Sequence, residues 1–260
     1  MKPPFHSAVR IVIAIAAMVA IASDALTNRP PRIDRLSSLP HVILWAWERR
    51  ENLGFIDPDK TAVAYLATTI DFEGDNVIVR PRFQPLTVPP HTMLIAVVRV
   101  EILRRTPPTL SASQRARAAT IIAGLADTSP AAIQIDFDAT RSERAFYRDL
   151  LTDVRSRLPA AMPLSITALT SWCLDDDWIS ALPVDEAVPM LYRMGPDANS
   201  IRAYLRGGGE FTPTISRDSI GLSLDTPIAG LSNSGKRVYL FSPHPWTPEL
   251  VRTATREVTE

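Results

Sequence analysis

Only one cysteine, Cys173, occurs in 260 residues, so no internal disulfide can form and the fold must be held by its own core. Cys173 itself reads as a small buried residue. Histidine is almost as scarce. His41, His91 and His244 are the three beyond the first ten residues, and none stands in a ligand spacing such as H-x-x-x-H. No metal and no other cofactor is expected. Charge of one sign is missing too: Lys plus Arg and Asp plus Glu number 28 each, so no net field recruits nucleic acid or an anionic membrane. Glycine is sparse, 10 against 23 prolines, which implies short, stiff connections instead of flexible linkers. The longest apolar run has 12 residues, 11–22, short of the roughly 20 that a spanning helix needs.

That run belongs to an N-terminal segment with the pattern of an export signal. Lys2 and Arg10 supply positive charge before it, and Ser23 and Ala25 after it fit a signal-peptidase site. The expected organisation is a signal peptide over 1–25, an extension over 26–40 and one domain over 41–260. A periplasmic or secreted location follows, with no membrane span once the signal is removed. An uncleaved N-terminal anchor is the alternative.

Eight short apolar, β-rich runs punctuate the rest: 42–47, 62–68, 93–100, 132–138, 164–170, 187–192, 219–224 and 237–242. Several are apolar on both faces, as strands buried in a parallel sheet are. Helical periodicity lies between them. Residues 141–158 place Tyr147, Leu150, Leu151, Val154 and Leu158 on one stripe behind a Thr140–Glu143 capping-box pattern. Residues 112–125 start the same way, with Ser111 and Gln114. Shorter helices are expected at 197–206 and from Pro248 toward Glu257. Alternation carried to eight strands predicts an α/β fold, a compact and irregular (β/α)8 TIM barrel. A β-hairpin turning at Gly74–Asn76 is expected as an insertion after strand 2, where a helix would be usual. The rival, a doubly wound open sheet, would carry a glycine-rich turn after its first strand, and "WAWERRENLG" has none.

Barrel chemistry lives at the carboxyl ends of the strands. Read in order, those ends offer Glu48, Thr69, Arg99 with Glu101, Asp136 with Asp138, Trp172, Tyr192 with Arg193, Asp225, and Ser242 with His244. In "AIQIDFD", period-two alternation sets Gln134, Asp136 and Asp138 on one face. Two carboxyl groups so placed have α-carbons about 6–7 Å apart and resist ionising together, which leaves one available as an acid. The competing reading pairs them with Arg99 or Arg193 as supports of the barrel mouth. Trp45 and Trp47 share a face and are expected to pack against outer helices, which turns Glu48 into the mouth. Trp172 is a candidate sugar platform. "LDDDW" at 174–178 reads as a loop entering a short helix.

"IQIDFD" resembles the fourth-strand signature of chitinase-like glycoside hydrolases, D-x-x-D-x-D-x-E. In the favoured register Asp136 matches the last Asp, Asp138 the acidic Glu, and Phe137 a Trp. Gln134 and Ala131 stand where that signature has further aspartates. The alternative register puts Thr140 at the acid position. "VPMLYRMG" is similar to the M-x-Y-D stretch of the same hydrolases, with Met190 and Tyr192 matching and Arg193 replacing Asp. Residues 39–245 as a whole resemble a bacterial family defined as a domain of unknown function, which implies a barrel related to glycoside hydrolases.

Taken with the N-terminal export pattern, the resemblance implies an exported hydrolase acting on an amino-sugar-containing envelope or extracellular polysaccharide or oligosaccharide. Asp138 would be the general acid with Asp136 assisting. Tyr192, Trp172, Glu48, Arg99, Arg193 and Gln134 would contact the glycan. The alternative is a non-catalytic, glycan-binding barrel.

Overall fold

The computed structural model describes residues 35–174, 176–226 and 235–259. The expected signal peptide and most of the extension lie outside them. Eight parallel strands close a barrel: β1 (Val42–Ala46), β3 (Thr61–Glu73), β6 (Leu94–Ile102), β7 (Ala132–Asp136), β8 (Leu164–Leu169), β9 (Glu186–Met190), β10 (Ser219–Ser223) and β11 (Arg237–Phe241). Closure is explicit, because β1 pairs in parallel with both β3 and β11. An open sheet is thereby excluded. All eight apolar runs became strands of this barrel. Among the described residues no helix is long and apolar enough to cross a membrane.

β3 continues beyond the barrel rim to Glu73 and turns at Gly74, whose φ of 53° suits a residue without a side chain. β4 (Asn76–Pro81) then returns antiparallel, with Glu73 opposite Asn76. The two-residue strands β2 (Glu51–Asn52) and β5 (Leu86–Thr87) form a separate small pair.

Among the described residues, five α-helices jacket the barrel: α1 (Ala112–Gly124), α2 (Arg144–Arg157), α3 (Thr170–Leu174), α4 (Ala198–Arg206) and α5 (Pro248–Thr259). Ser111 caps α1 in a complete capping box with Gln114. Only half of the second box forms. Glu143 accepts from the Thr140 N–H at 2.7 Å, but α2 begins later, at Arg144. The α2 stripe of Tyr147, Leu150, Leu151 and Val154 is buried as its spacing requires.

Two apolar regions result. One lies between strands and helices and takes Leu44, Ile133, Ile135, Phe137 and the α2 stripe. The other fills the barrel, with Ile43, Trp45, Ala64, Val97, Val188 and Tyr239, and Leu36 and Leu39 join it. Residues 35–39 are thus part of the barrel's packing.

β1 corrects one expectation. Trp45 points into the barrel and not toward the helices, where its Nε1 donates to Gln134 Oε1 at 2.9 Å. Its ring fits because Gly221 faces it: a β-carbon there would lie 2.8 Å from Trp45 Cη2. With the parity of β1 reversed, Trp47 takes the mouth and Glu48 is exposed outside it.

Candidate active site at the barrel mouth

β7 alternates as expected. Ile133 and Ile135 pack outward, while Ala132, Gln134 and Asp136 turn inward. The strand ends at Asp136, so Asp138 sits on the loop above it. Both aspartates line one cavity of about 550 Å³, within the usual range for ligand pockets.

Asp136 is the deeper of the two. The Thr167 hydroxyl, from β8, donates to its Oδ1 at 2.6 Å. Burial pushes its carboxyl above the ordinary aspartate range, the Thr167 hydrogen bond opposes this, and the neighbouring Asp138 charge adds to it. Arg99 and Arg193 pull the other way but less strongly. Asp138 is 43% exposed and lies 3.3 Å from the Arg193 guanidinium, itself 57% exposed. A pair that open to water contributes about 0.2–1 kcal/mol. The expected couple is therefore split: a half-buried carboxyl bonded to a neutral hydroxyl, and an exposed one in an ion pair.

Aromatic rings form the other side of the cavity. Tyr192 stacks on Phe241 with centroids 5.8 Å apart and planes at 15°. Trp45 meets Tyr192 edge-on at 6.4 Å, and Trp47 lines the mouth above. Burial raises the Tyr192 hydroxyl far above its ordinary value, so it stays a neutral hydrogen-bonding group. A flat ring faced by carboxyl and hydroxyl groups suits a ligand with one apolar face and several hydroxyls.

Of the residues expected here, Asp136, Asp138, Arg99, Tyr192 and Arg193 come together. Three do not. Gln134 is fully buried below the cavity, bridging Trp45 to Ser165. Glu48 is exposed elsewhere. Trp172 is 3% exposed, because the chain winds into α3 directly after β8 and turns the ring toward Trp178, 4.9 Å away. His244 is likewise absent from the cavity lining. Thr167 and Phe241 line the cavity without having been singled out. Thr167 shares parity with polar Ser165, a Ser-x-Thr alternation beside Gln-x-Asp, and that was its available signal.

Residues 93–192 match the family described as a domain of unknown function, DUF3142. This stretch runs from β6 through Tyr192 and so contains Arg99, Asp136, Asp138 and Thr167. No curated protein matches the chain. Among solved structures, the chain is similar to the spore cortex-lytic enzyme SleL of Bacillus cereus, with 16% identity and a TM-score of 0.43 over 70% of this chain and 50% of that one. It is similar to a family GH18 chitinase from Chromobacterium violaceum, with 9% identity and a TM-score of 0.47 over 78% of each. The chitinase domain of the spore coat protein CotE from Clostridium difficile gives 15% identity and 0.41 over 80% of this chain and 66% of that one. The chain thus spans about half the length of SleL.

Proposed function

We propose that the barrel mouth binds a polysaccharide containing amino sugars and hydrolyses it, with Asp136 as the proton donor and Asp138 as the second carboxylate. One observation carries the reading. A carboxyl whose proton is held more tightly than usual lies in a cavity walled by stacked rings, as glycosidic cleavage requires of its acid. The roles are exchanged relative to the signature match, because Asp138 is the one engaged by a guanidinium. Aromatic faces at Trp47, Tyr192 and Phe241 hold the pyranose, and Thr167 orients Asp136. The amino-sugar class rests on the resemblance at Met190 and Tyr192, and export rests on the N-terminal pattern.

The Asp138–Arg193 pair favours a second reading, a barrel that retains glycan without cutting it. Incubating the full chain with peptidoglycan and with N-acetylglucosamine polymers, and scoring new reducing ends and retention separately, decides between them. Cleavage lost on Asp136→Asn with retention kept supports the hydrolase. Retention without cleavage in the wild type supports the binder. Neither activity overturns both.

A further inference from the structure

Arg99 and Asp136 are register partners on adjacent strands β6 and β7, and both line the cavity. Strands lie about 4.8 Å apart, so a guanidinium so placed is the obvious counter-ion for the carboxylate beside it. Yet the two are not ion-paired. Arg99 Nη2 lies 2.6 Å from Glu101 Oε1 instead. Glu101 in turn lies 3.3 Å from Arg80 Nη2 through its other oxygen. Arg80 grips Asp71 with two hydrogen bonds, Nε to Oδ2 at 2.7 Å and Nη2 to Oδ1 at 2.9 Å.

These four residues alternate in charge from the antiparallel arm to the cleft. Asp71 and Glu101 are themselves register partners on β3 and β6, and Arg80 comes from β4. The Asp71 side chain is 6% exposed, and a carboxylate that deep requires a cation, so it anchors the far end. The other guanidinium that acts on Asp136 is Arg193, and Asp138 holds it.

We propose that the ladder Asp71–Arg80–Glu101 draws Arg99 away from Asp136, making Glu101 and Arg80 positioning residues for the carboxyl in the cleft. This rests on Asp136 being the cleft's proton-holding group. An opposite charge brought within about 4–6 Å lowers a carboxyl pKa by about 1–3 units, enough to turn a proton donor into a permanent carboxylate. The extension of β3 past the rim and the β4 strand paired with it then have a role at the site: they hold the counter-charges that occupy Arg99. The groups facing Asp136 are the Thr167 hydroxyl on β8, Arg99 on β6, Asp138 on its own loop, Tyr192 and Arg193 beyond β9, and Tyr147 of α2 behind it.

The test reads Asp136 directly, by carbon-13 NMR titration of the aspartate carboxyls in the full chain, with the signal assigned by its loss in Asp136→Asn. Arg99 and Glu101 are each about a third exposed, and conservative replacement leaves the barrel folded, as amide spectra will verify. Glu101→Gln is expected to lower the Asp136 midpoint by about one unit or more, a tenfold loss of proton affinity. Because removing any nearby negative charge acts in that direction, Arg99→Gln is compared in both backgrounds. The ladder requires Arg99→Gln to move Asp136 little in the wild type and by about one unit upward in the Glu101→Gln chain. Equal shifts in the two backgrounds, or an unmoved midpoint in Glu101→Gln, overturn it. The outcome is independent of hydrolysis: a chain that cuts nothing yet shows the unequal shifts keeps the ladder and loses the hydrolase reading.

Discussion

Loss of Glu186 should cost the barrel heavily. It opens β9 facing inward and is 2% exposed. Its Oε2 accepts from Ser165 Oγ at 2.9 Å and Tyr239 OH at 2.7 Å, and its Oε1 accepts from Arg237 Nε at 3.0 Å. Ser165 also accepts from Gln134, which accepts from Trp45, so one hydrogen-bonded chain runs from the barrel's lower end to the cavity. Breaking a buried ion pair by removing one partner costs about 3–5 kcal/mol, against a typical total of about 5–15. Glu186→Ala should therefore lower the melting temperature by roughly 6–20 °C, at about 2–4 °C per kcal/mol for a domain this size. Glu186→Gln keeps an acceptor and should lose less. Tyr239→Phe removes one hydrogen bond to a charged group, about 1.5–3 kcal/mol. Urea unfolding followed by tryptophan fluorescence measures all three, and Glu186→Ala with Tyr239→Phe should be non-additive by about 0.5–3 kcal/mol. A Glu186→Ala cost under about 1 kcal/mol, or strict additivity, would refute the network.

Gly221→Ala sets a β-carbon 2.8 Å from a ring that Gln134 holds in place, so it should cost about 1–3 kcal/mol and shift the Trp45 emission spectrum. Asp136 binds its proton more tightly folded than unfolded. Its contribution to stability is full below the ordinary aspartate value and is lost as pH rises through the raised folded one. Asp136→Asn should thus be the more stable chain above that window and not below it, by thermal melts across pH. Burial pushes the Cys173 thiol up to about 12, so iodoacetamide at pH 8 should label it only after unfolding.

The barrel was legible because its strands are buried on both sides, and such runs stand out from polar connections whatever their orientation. That same property hid which way each side chain points. In "VILWAW" both parities are apolar, so nothing in the string says whether Ile43 and Trp45 or Leu44 and Ala46 face inward. The answer came from a residue three strands round the barrel, because only a ring aimed inward can donate to Gln134. Glu48 was lost to the cleft by the same reversal. "IQID" suffered no such ambiguity, since polar and apolar residues alternate strictly and only one parity can tolerate the helix-packed side.

Trp172 failed for a different reason. Periodicity locates a strand but not the residue at which it stops, and one turn of helix beyond Leu169 is enough to carry an indole from the mouth to the outer core. Asp138 shows the milder form of the same uncertainty: β7 ends two residues before it, which leaves it exposed and free to meet Arg193. Pairing a carboxylate with a guanidinium across two loops is a tertiary fact, invisible to spacing along one strand. It matters here because Asp136 and Asp138 are equivalent in sequence and opposite in environment. Burial does most to hold the Asp136 proton, and the proposed ladder adds to it by keeping Arg99 on Glu101, while Asp138 meets Arg193 at the exposed rim. A motif names the carboxyls, and burial and the charges around them set the two apart.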